Sequence, residues 1–393
     1  MALNRVPTIY RKEMLDISRD RRTLVSMIVV PVAAMPLLFY VIGFFMSSAE
    51  KRAGAEATSI ALRSPEALPE LAAFLQQSGF AVTAQGDLRA AVQDKHIAAG
   101  VEIVAPAGGV PEVRIYNDET RQGSQMAARN LRRTLDKFRD EIIRGRLEAL
   151  RISTAVLKPF TVQEINVAPQ RKMAGFFWGG MLGYIVVLLM FSGGMYPVID
   201  MTAGEKERRT LEIFLAAPAG REEIVLGKLL AATTAVFLTA VLSVTSMVVS
   251  FRYSNFGKPG RQLREMATQM PLDATTIGLV LLALAPTAVM AASLMIAIAL
   301  MAKSFKEAQS YLTPLVMAVV FPLVAGMLPG VELTPALALV PLFNVCQLIK
   351  QIFQGEYTAL VFAITMAANI VYAGLAFFAA VRVFSSERVL FRT

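Results

Sequence analysis

Hydropathy divides the chain into long apolar runs and one long polar insertion. Residues 24–46, 173–199, 229–251, 274–302, 310–331 and 357–381 contain no Asp, Glu, Lys or Arg. A helix of about 20 mainly apolar residues crosses the hydrocarbon core of a bilayer. One such run is unusual in a soluble protein; six are not a soluble core. The pattern predicts a mainly α, polytopic membrane protein with six transmembrane helices and an α/β domain inserted between the first and second, at residues 47–172.

Within the insertion the apolar period changes from segment to segment. Residues 59–62, 100–104 and 113–116 read as short strands. Residues 65–77 read as a helix, with Pro65 in its first turn and Leu68, Leu71, Phe74 and Leu75 at helical spacing. Residues 87–94 predict a shorter helix and residues 122–150 a long one, with Leu131, Leu135, Phe138, Ile142, Leu147 and Leu150 on its apolar side. Pro106, Gly108, Gly109 and Pro111 mark a turn-rich break. The domain reads either as a receptor for substrate or partner, or as a structural cap that stabilises a dimer or shields an exit. His96, the lone histidine, reads as a surface residue, because no second His or thiol stands near it to build a zinc site.

Ahead of the first run, residues 1–23 predict an amphipathic helix. Val6, Ile9, Tyr10, Met14 and Ile17 fall on one face, with Arg11, Lys12, Asp16 and Arg19 elsewhere. A basic amphipathic helix beside a span lies in the headgroup plane, as a plain anchor or as an elbow that transmits movement to the span.

Charge orients this arrangement. The chain is 55% hydrophobic yet carries a net charge of +9, and in a membrane protein such a surplus speaks to topology and lipid before nucleic acid. No aromatic-interleaved basic stripe suits nucleic acid. The segments 1–23, 200–228, 303–309 and 382–393 hold most of the loop Lys and Arg, whereas 252–273 and 332–356 hold only Arg252, Lys258, Arg261, Arg264 and Lys350. Long translocated domains stand outside this rule. Both termini are therefore expected in the cytoplasm and residues 47–172 outside. No cleavable signal peptide is expected, and Cys346, the single cysteine, allows no internal disulfide.

Several chemistries are excluded. One histidine outside the spans supports no hydrolase triad. Residues 220–229 have the outline of a phosphate-binding loop, but the glycine spacing is too long, Leu229 replaces the magnesium-holding Ser or Thr, and no strand precedes it. Gly227-Lys228 reads instead as the start of the third span. Charge-free spans also argue against an ion-gradient carrier, which normally holds ionisable groups at membrane depth. Uphill transport then needs energy from another subunit.

The segment 200–228 is the most informative polar stretch. It contains Glu205-Lys206-Glu207-Arg208-Arg209-Thr210-Leu211-Glu212, then Phe214, Leu215 and Ala217-Pro218. Helical spacing joins Leu211, Phe214 and Leu215 into an apolar patch amid both signs of charge, and Pro218 ends it. A mixed-charge loop is ordinarily solvated; the apolar patch is what a docking helix needs to fill a partner's groove.

This motif, with Arg221 and Gly227-Lys228 after it, resembles the signature of type-2 ABC export permeases. Lys303-Ser-Phe-Lys-Glu-Ala-Gln309 and Pro341-Leu-Phe-Asn344 fit the branch that resembles the sodium-extrusion permease. Arg209 stands where that family commonly has a small residue, and Ala217 where it often has Thr. The resemblance implies a permease subunit in a bacterial cytoplasmic (inner) membrane, paired with a second permease subunit as a homodimer and surrounded by lipid. Two cytoplasmic ABC ATPase subunits would hold the ATP and magnesium, and this chain would bind no cofactor and contain no catalytic residue. The coupling residues implied are Glu205, Lys206, Glu207, Arg208, Thr210, Leu211, Glu212, Phe214, Leu215 and Pro218, with Lys303, Lys306 and Glu307 on the next inner loop.

Between the fifth and sixth runs, Asn344, Gln347, Lys350, Gln351 and Gln354 form a polar stripe, opposite Leu339, Leu342, Phe343, Cys346 and Phe353. The stretch 332–356 reads as a flat interfacial helix or, as the resemblance implies, a short helix dipping into the outer leaflet near an exit. Gly175, Gly179 and Gly183 repeat every fourth residue, allowing close helix approach within one subunit or across a dimer. Pro31, Pro36, Pro286, Pro314 and Pro322 are expected to bend their helices, and Thr233, Thr234, Ser243, Ser246, Ser293 and Asn369 to line a path or bond neighbouring helices. Cargo is expected to be sodium or an amphiphile such as a lipid, peptide or drug. A reading from another class is a membrane-anchored sensor signalling through its outer domain.

Overall fold

The computed structural model describes residues 5–64, 66, 68–104, 110–151, 172, 174–210, 220–253, 270–326, 331 and 333–386. The chain divides into two compact units, Met1–Ile42 with Val167–Gly257 and Arg261–Thr393, and Gly43–Asn166 with Lys258–Gly260.

The first unit opens with helices α1 (Val6–Arg19) and α2 (Arg21–Leu24), separated by Asp20. Asp20 accepts from the backbone N–H of Arg22 and Thr23 and so caps α2. A π-helical turn at Val25–Val29 leads into α3 (Val30–Glu56). Pro36 has no N–H for the carbonyl one turn back, on Val32. Ser246 Oγ donates to that carbonyl at 2.7 Å from a neighbouring helix, so the expected bend is bound rather than left open.

The second unit is the α/β insertion. Strands β1 (Ser59–Arg63), β2 (Ala81–Ala84), β3 (Ala99–Val104) and β4 (Glu112–Asn117) form a sheet ordered β2-β1-β3-β4, parallel except for β4. Alternation along β1 sends Ile60 and Leu62 to one face and Ala61 to the other. On the first face they join Leu71 and Leu75 of α4 (Pro69–Gln77) and, beyond α5 (Leu88–Gln93), Leu131 and Phe138 of α6 (Gln122–Ala149). On the second, Ala61 meets Leu88, Ala91 and Val92 of α5. The expected strands and helices are present, except that the first helix starts at Pro69 rather than Pro65, which lies outside the described residues, and β2 is an addition. Its four residues are mostly exposed and carry no apolar run that a periodicity argument detects. His96 is exposed, and Pro106, Gly108 and Gly109 of the expected break lie outside the described residues.

The remaining helices return to the first unit. A π-helical turn at Gly175–Gly179 leads into α7 (Gly180–Ile199), and a second at Asp200–Gly204 leads into the short α8 (Glu205–Glu207). Helices α9 (Arg221–Tyr253), α10 (Ala274–Ala299), α11 (Phe305–Ala318), α12 (Val320–Gly326), α13 (Phe343–Gln354) and α14 (Ala359–Ser385) follow. Among the described residues, five helical stretches are long and apolar enough to cross a membrane: Arg21–Phe45, Gly180–Glu207, Arg221–Tyr253, Ala274–Ala299 and Ala359–Ser385. The described part of the expected fifth run, 310–326, is divided between two shorter helices, α11 and α12, separated at Val319. Pro322 supplies the reason, since it offers no N–H to the carbonyl of Ala318.

Helix α7 is the core of this unit, with 72% of its apolar window buried, whereas the windows of Arg21–Phe45 and Ala359–Ser385 are 28% and 33% buried. Leu37, Phe45, Leu360 and Phe378 point outward from those two. Apolar faces of this extent are costly in water and at no disadvantage in lipid.

The glycine stripe finds its partner inside the chain. A Cβ on Gly175 would come within 2.7 Å of the Phe353–Gln354 backbone, one on Gly179 within 2.9 Å of Phe353 Cβ, and one on Gly183 within 3.0 Å of Ile349 Cγ2. The stripe is the bed on which α13 lies. Ten of the twelve α13 residues are buried, Asn344, Gln347 and Lys350 among them, which corrects the flat interfacial helix: its polar face is enclosed, not solvated. Helix α13 starts from a γ-turn at Leu342 (φ +67°), where Phe343 N–H reaches Pro341 O at 2.8 Å. Asn344 Nδ2 ties the turn down by donating to Ala338 O at 2.9 Å.

Overpacking at this seam is expected to cost roughly 1–3 kcal/mol. Gly179→Val should lower the thermal midpoint in detergent, and Gly179→Val with Phe353→Ala should recover part of the loss. Equal midpoints for wild type and Gly179→Val would mean that α13 does not rest on the stripe.

Candidate functional site

Segments far apart in sequence converge on one buried ammonium group. Helix α1 places Ile9, Glu13 and Ile17 at i, i+4 and i+8, and all three are buried. They face the start of α9, where Gly227 leaves room for Ile9: a Cβ there would sit 2.6 Å from Ile9 Cγ2. The next residue, Lys228, lies two turns inside α9 and is 2% exposed. Its Nζ donates to Glu13 Oε1 at 2.8 Å, Glu205 Oε2 at 2.6 Å and Met201 O at 2.8 Å. An ammonium has three protons, and all three are used.

Both carboxylates are buried with it, Glu13 at 2% and Glu205 at 3% exposure. Lys12 closes the network from the solvent side, reaching Glu205 at 2.8 Å, Asp16 at 3.1 Å and Glu13 at 3.2 Å. Burial works against the Lys12 charge, but Glu13 and Glu205 and the hydrogen bonds to Glu205 and Asp16 outweigh it. The ammonium is held above the ordinary lysine value.

The residues after Glu205 complete the junction. Lys206 Nζ donates to the carbonyls of Leu300 and Ala302, at the C-terminal end of α10, where carbonyls lack helical partners and a cation is favoured. Glu207 Oε2 accepts from Phe305 N–H at 2.7 Å, at the start of α11, where the orphan groups are donors. The dipeptide thus caps two helix ends of opposite polarity. Ser304 caps α11 through Glu307 N–H, while Glu307 accepts from Lys303 N–H at 2.7 Å and Tyr311 Oη at 2.6 Å. Lys303 and Lys306 are exposed.

Arg208 pairs with Asp200 at 2.8 Å, Thr210 Oγ1 donates to Glu205 O at 3.2 Å, and Arg209 takes a left-handed φ of +57°. That conformation favours glycine, so an arginine there is strained. A cleft of about 570 Å³ opens between α1 and this turn, lined by Lys12, Asp16, Arg19, Asp20, Asp200, Glu205, Arg208 and Thr210.

The structure therefore brings Glu205, Lys206 and Glu207 together with the 303–307 segment. Leu211, Glu212, Phe214, Leu215 and Pro218 lie outside the described residues. Asn344, Gln347 and Lys350 sit in the α13 seam, and Gln351 and Gln354 are half-buried there. Glu13 and Lys228 are members of this buried network that sequence reasoning did not place there. Glu13 was legible from its spacing with Ile9 and Ile17, whereas Lys228 reads as a span boundary until its partners are known. The apolar face of α1, expected from the sequence, packs on α9.

A description of the ABC-2 family of transporter proteins matches residues 21–382. The chain belongs to that family. It is also similar to the ABC transporter permease protein NatB of Bacillus subtilis (strain 168), with 25% identity over 354 residues, covering 88% of this chain and 89% of that one. It is thus an ABC-2 family permease and a membrane protein, and family membership implies a cytoplasmic ATPase partner.

Lys228→Met leaves Glu13 and Glu205 buried with only Lys12, at the solvent edge, as counter-charge, a change expected to cost roughly 3–5 kcal/mol. Lys12→Met, at the solvent edge, should cost clearly less. Adding Glu13→Gln to Lys228→Met should return part of the lost stability, read as the thermal midpoint in detergent. If Lys228→Met alone is neutral, the network is not closed as described.

Proposed function

We propose that this chain is the membrane subunit of an ATP-driven exporter that works as a pair of permeases with two cytoplasmic ATPase subunits. The observation that carries this reading is the junction at Glu205–Glu207. One short turn bonds α1 and α9 through Lys228 and holds the ends of α10 and α11 through Lys206 and Glu207. A partner seated on the loop that continues from this turn gains leverage on four helices at once.

In this reading residues 205–218 dock on the ATPase, with the apolar side chains Leu211, Phe214 and Leu215 filling a groove and Lys303, Lys306 and Glu307 contributing from the adjacent loop. The termini lie in the cytoplasm and residues 47–172 outside, as loop charge favours. ATP binding closes the ATPase pair, and the junction passes that movement to the spans. The chain supplies no catalytic group; ATP and magnesium belong to the partner. Sodium and amphiphiles are the two cargo classes, and the enclosed α13 stripe is the segment nearest an outer exit.

Docking is tested by co-purification of candidate ATPases. Leu211→Asp and Phe214→Asp should each abolish association while leaving membrane insertion intact, because a buried apolar anchor outweighs rim ion pairs. Normal association of both variants would remove the loop from the interface.

A further inference from the structure

The polar face of α13 is enclosed, and most of what it presents is an array of hydrogen-bond donors. Asn344 Nδ2 donates to Asn369 Oδ1 of α14 at 3.1 Å as well as to Ala338 O. That bond fixes which way the Asn369 amide faces, leaving Nδ2 as the free end. Asn369 Nδ2, Gln347 Nε2, Tyr184 Oη of α7 and Thr365 Oγ1 have no hydrogen-bond partner among the described residues, and every one of these residues is at least 98% buried.

The groups occupy one seam. Gln347 follows Asn344 by three residues, and Thr365 precedes Asn369 by four, so each pair shares a helix face. Tyr184 and Gln347 meet at the end of α12: a Cβ on Gly326 would collide with Tyr184 Oη and lie 2.7 Å from Gln347 Nε2. Only a residue without a side chain lets α12 end there. The one charge on α13 is positive, Lys350, a turn beyond Gln347, and a Cβ on Gly180 would lie 3.6 Å from its Cδ.

Buried polar groups are retained where something satisfies them. The Asn369 N–H₂ group cannot coordinate a cation, the Gln347 amide and two hydroxyls are able to donate, and the nearest charge on the stripe repels one. We propose that this seam binds the oxygen-rich head group of an anionic amphiphile, taking phosphate or ester oxygens as acceptors, and that it does not bind sodium. Describing the ligand as cargo rests on the exporter reading; the binding itself does not. Gly326 and the end of α12 would then cover the site.

The only tryptophan, Trp178, lies between Gly175 and Gly179 of the glycine bed with its ring against Phe39 and Phe251, and its fluorescence registers rearrangement of that bed. Its fluorescence is followed in the detergent-purified full chain during titration with lysophosphatidylglycerol below its micellar concentration. Dodecyltrimethylammonium, and sodium chloride against choline chloride, are the controls. Saturable binding of the phospholipid alone is expected. Asn369→Asp and Gln347→Glu, which keep size but replace donors by acceptors, should weaken it at least tenfold, and Tyr184→Phe should weaken it less. A sodium-specific change would overturn the proposal, as would equal response to both amphiphiles. Unchanged affinity in all three variants, the result if these groups hold only water, would also overturn it. ATPase co-purification is scored separately, so failure of the exporter reading registers there and not in this titration.

Discussion

The Lys228 ammonium is the constraint on which the inner end of the helical unit depends. A charge at that depth is tolerable only if its attraction to neighbours repays desolvation, and here two carboxylates and a carbonyl take all three protons. Glu13 and Glu205 have one further cation, Lys12, and it reaches them from the solvent edge. The three residues therefore fix one another, and with them the positions of α1, α8 and α9. Removing one partner costs more than the interaction itself contributes, because the others remain enclosed.

From that point order spreads by ordinary rules. Glu205 anchors a turn whose next two residues, Lys206 and Glu207, satisfy the orphan carbonyls of α10 and an orphan N–H of α11. Apolar packing alone would let these helices slide, since lipid-facing surfaces gain little from any one neighbour. Ionic groups at helix ends specify register where apolar contact does not. The same division holds at the other polar seam, where α13 gains closeness from the glycines and orientation from the Asn344–Asn369 bond.

The apolar runs, the α/β insertion and the amphipathic start were legible because each is a local pattern. The glycine stripe announced close approach but not its partner, since nothing in residues 175–183 points to Phe353 or Ile349. Glu13, Glu205 and Lys228 were illegible as a set, because the bonds joining them connect residues up to 215 positions apart. Each alone has an ordinary reading: a charge on a basic helix, a charge in a mixed loop, a lysine at a span edge. The break at Val319 was half visible, in that Pro322 was expected to bend its helix but not to divide the run.

Helix α1 and the α10–α11 connection move as one body because Lys228 and Glu205 join them. Spin labels on cysteines replacing the exposed Arg11 and Lys306, in a chain without Cys346, give that relation directly as a distance distribution in the ATPase-bound complex. The account predicts a single narrow distribution that stays narrow when nucleotide binds, and one that broadens in Lys228→Met while the ATPase remains attached. A distribution equally narrow with and without Lys228 would contradict it.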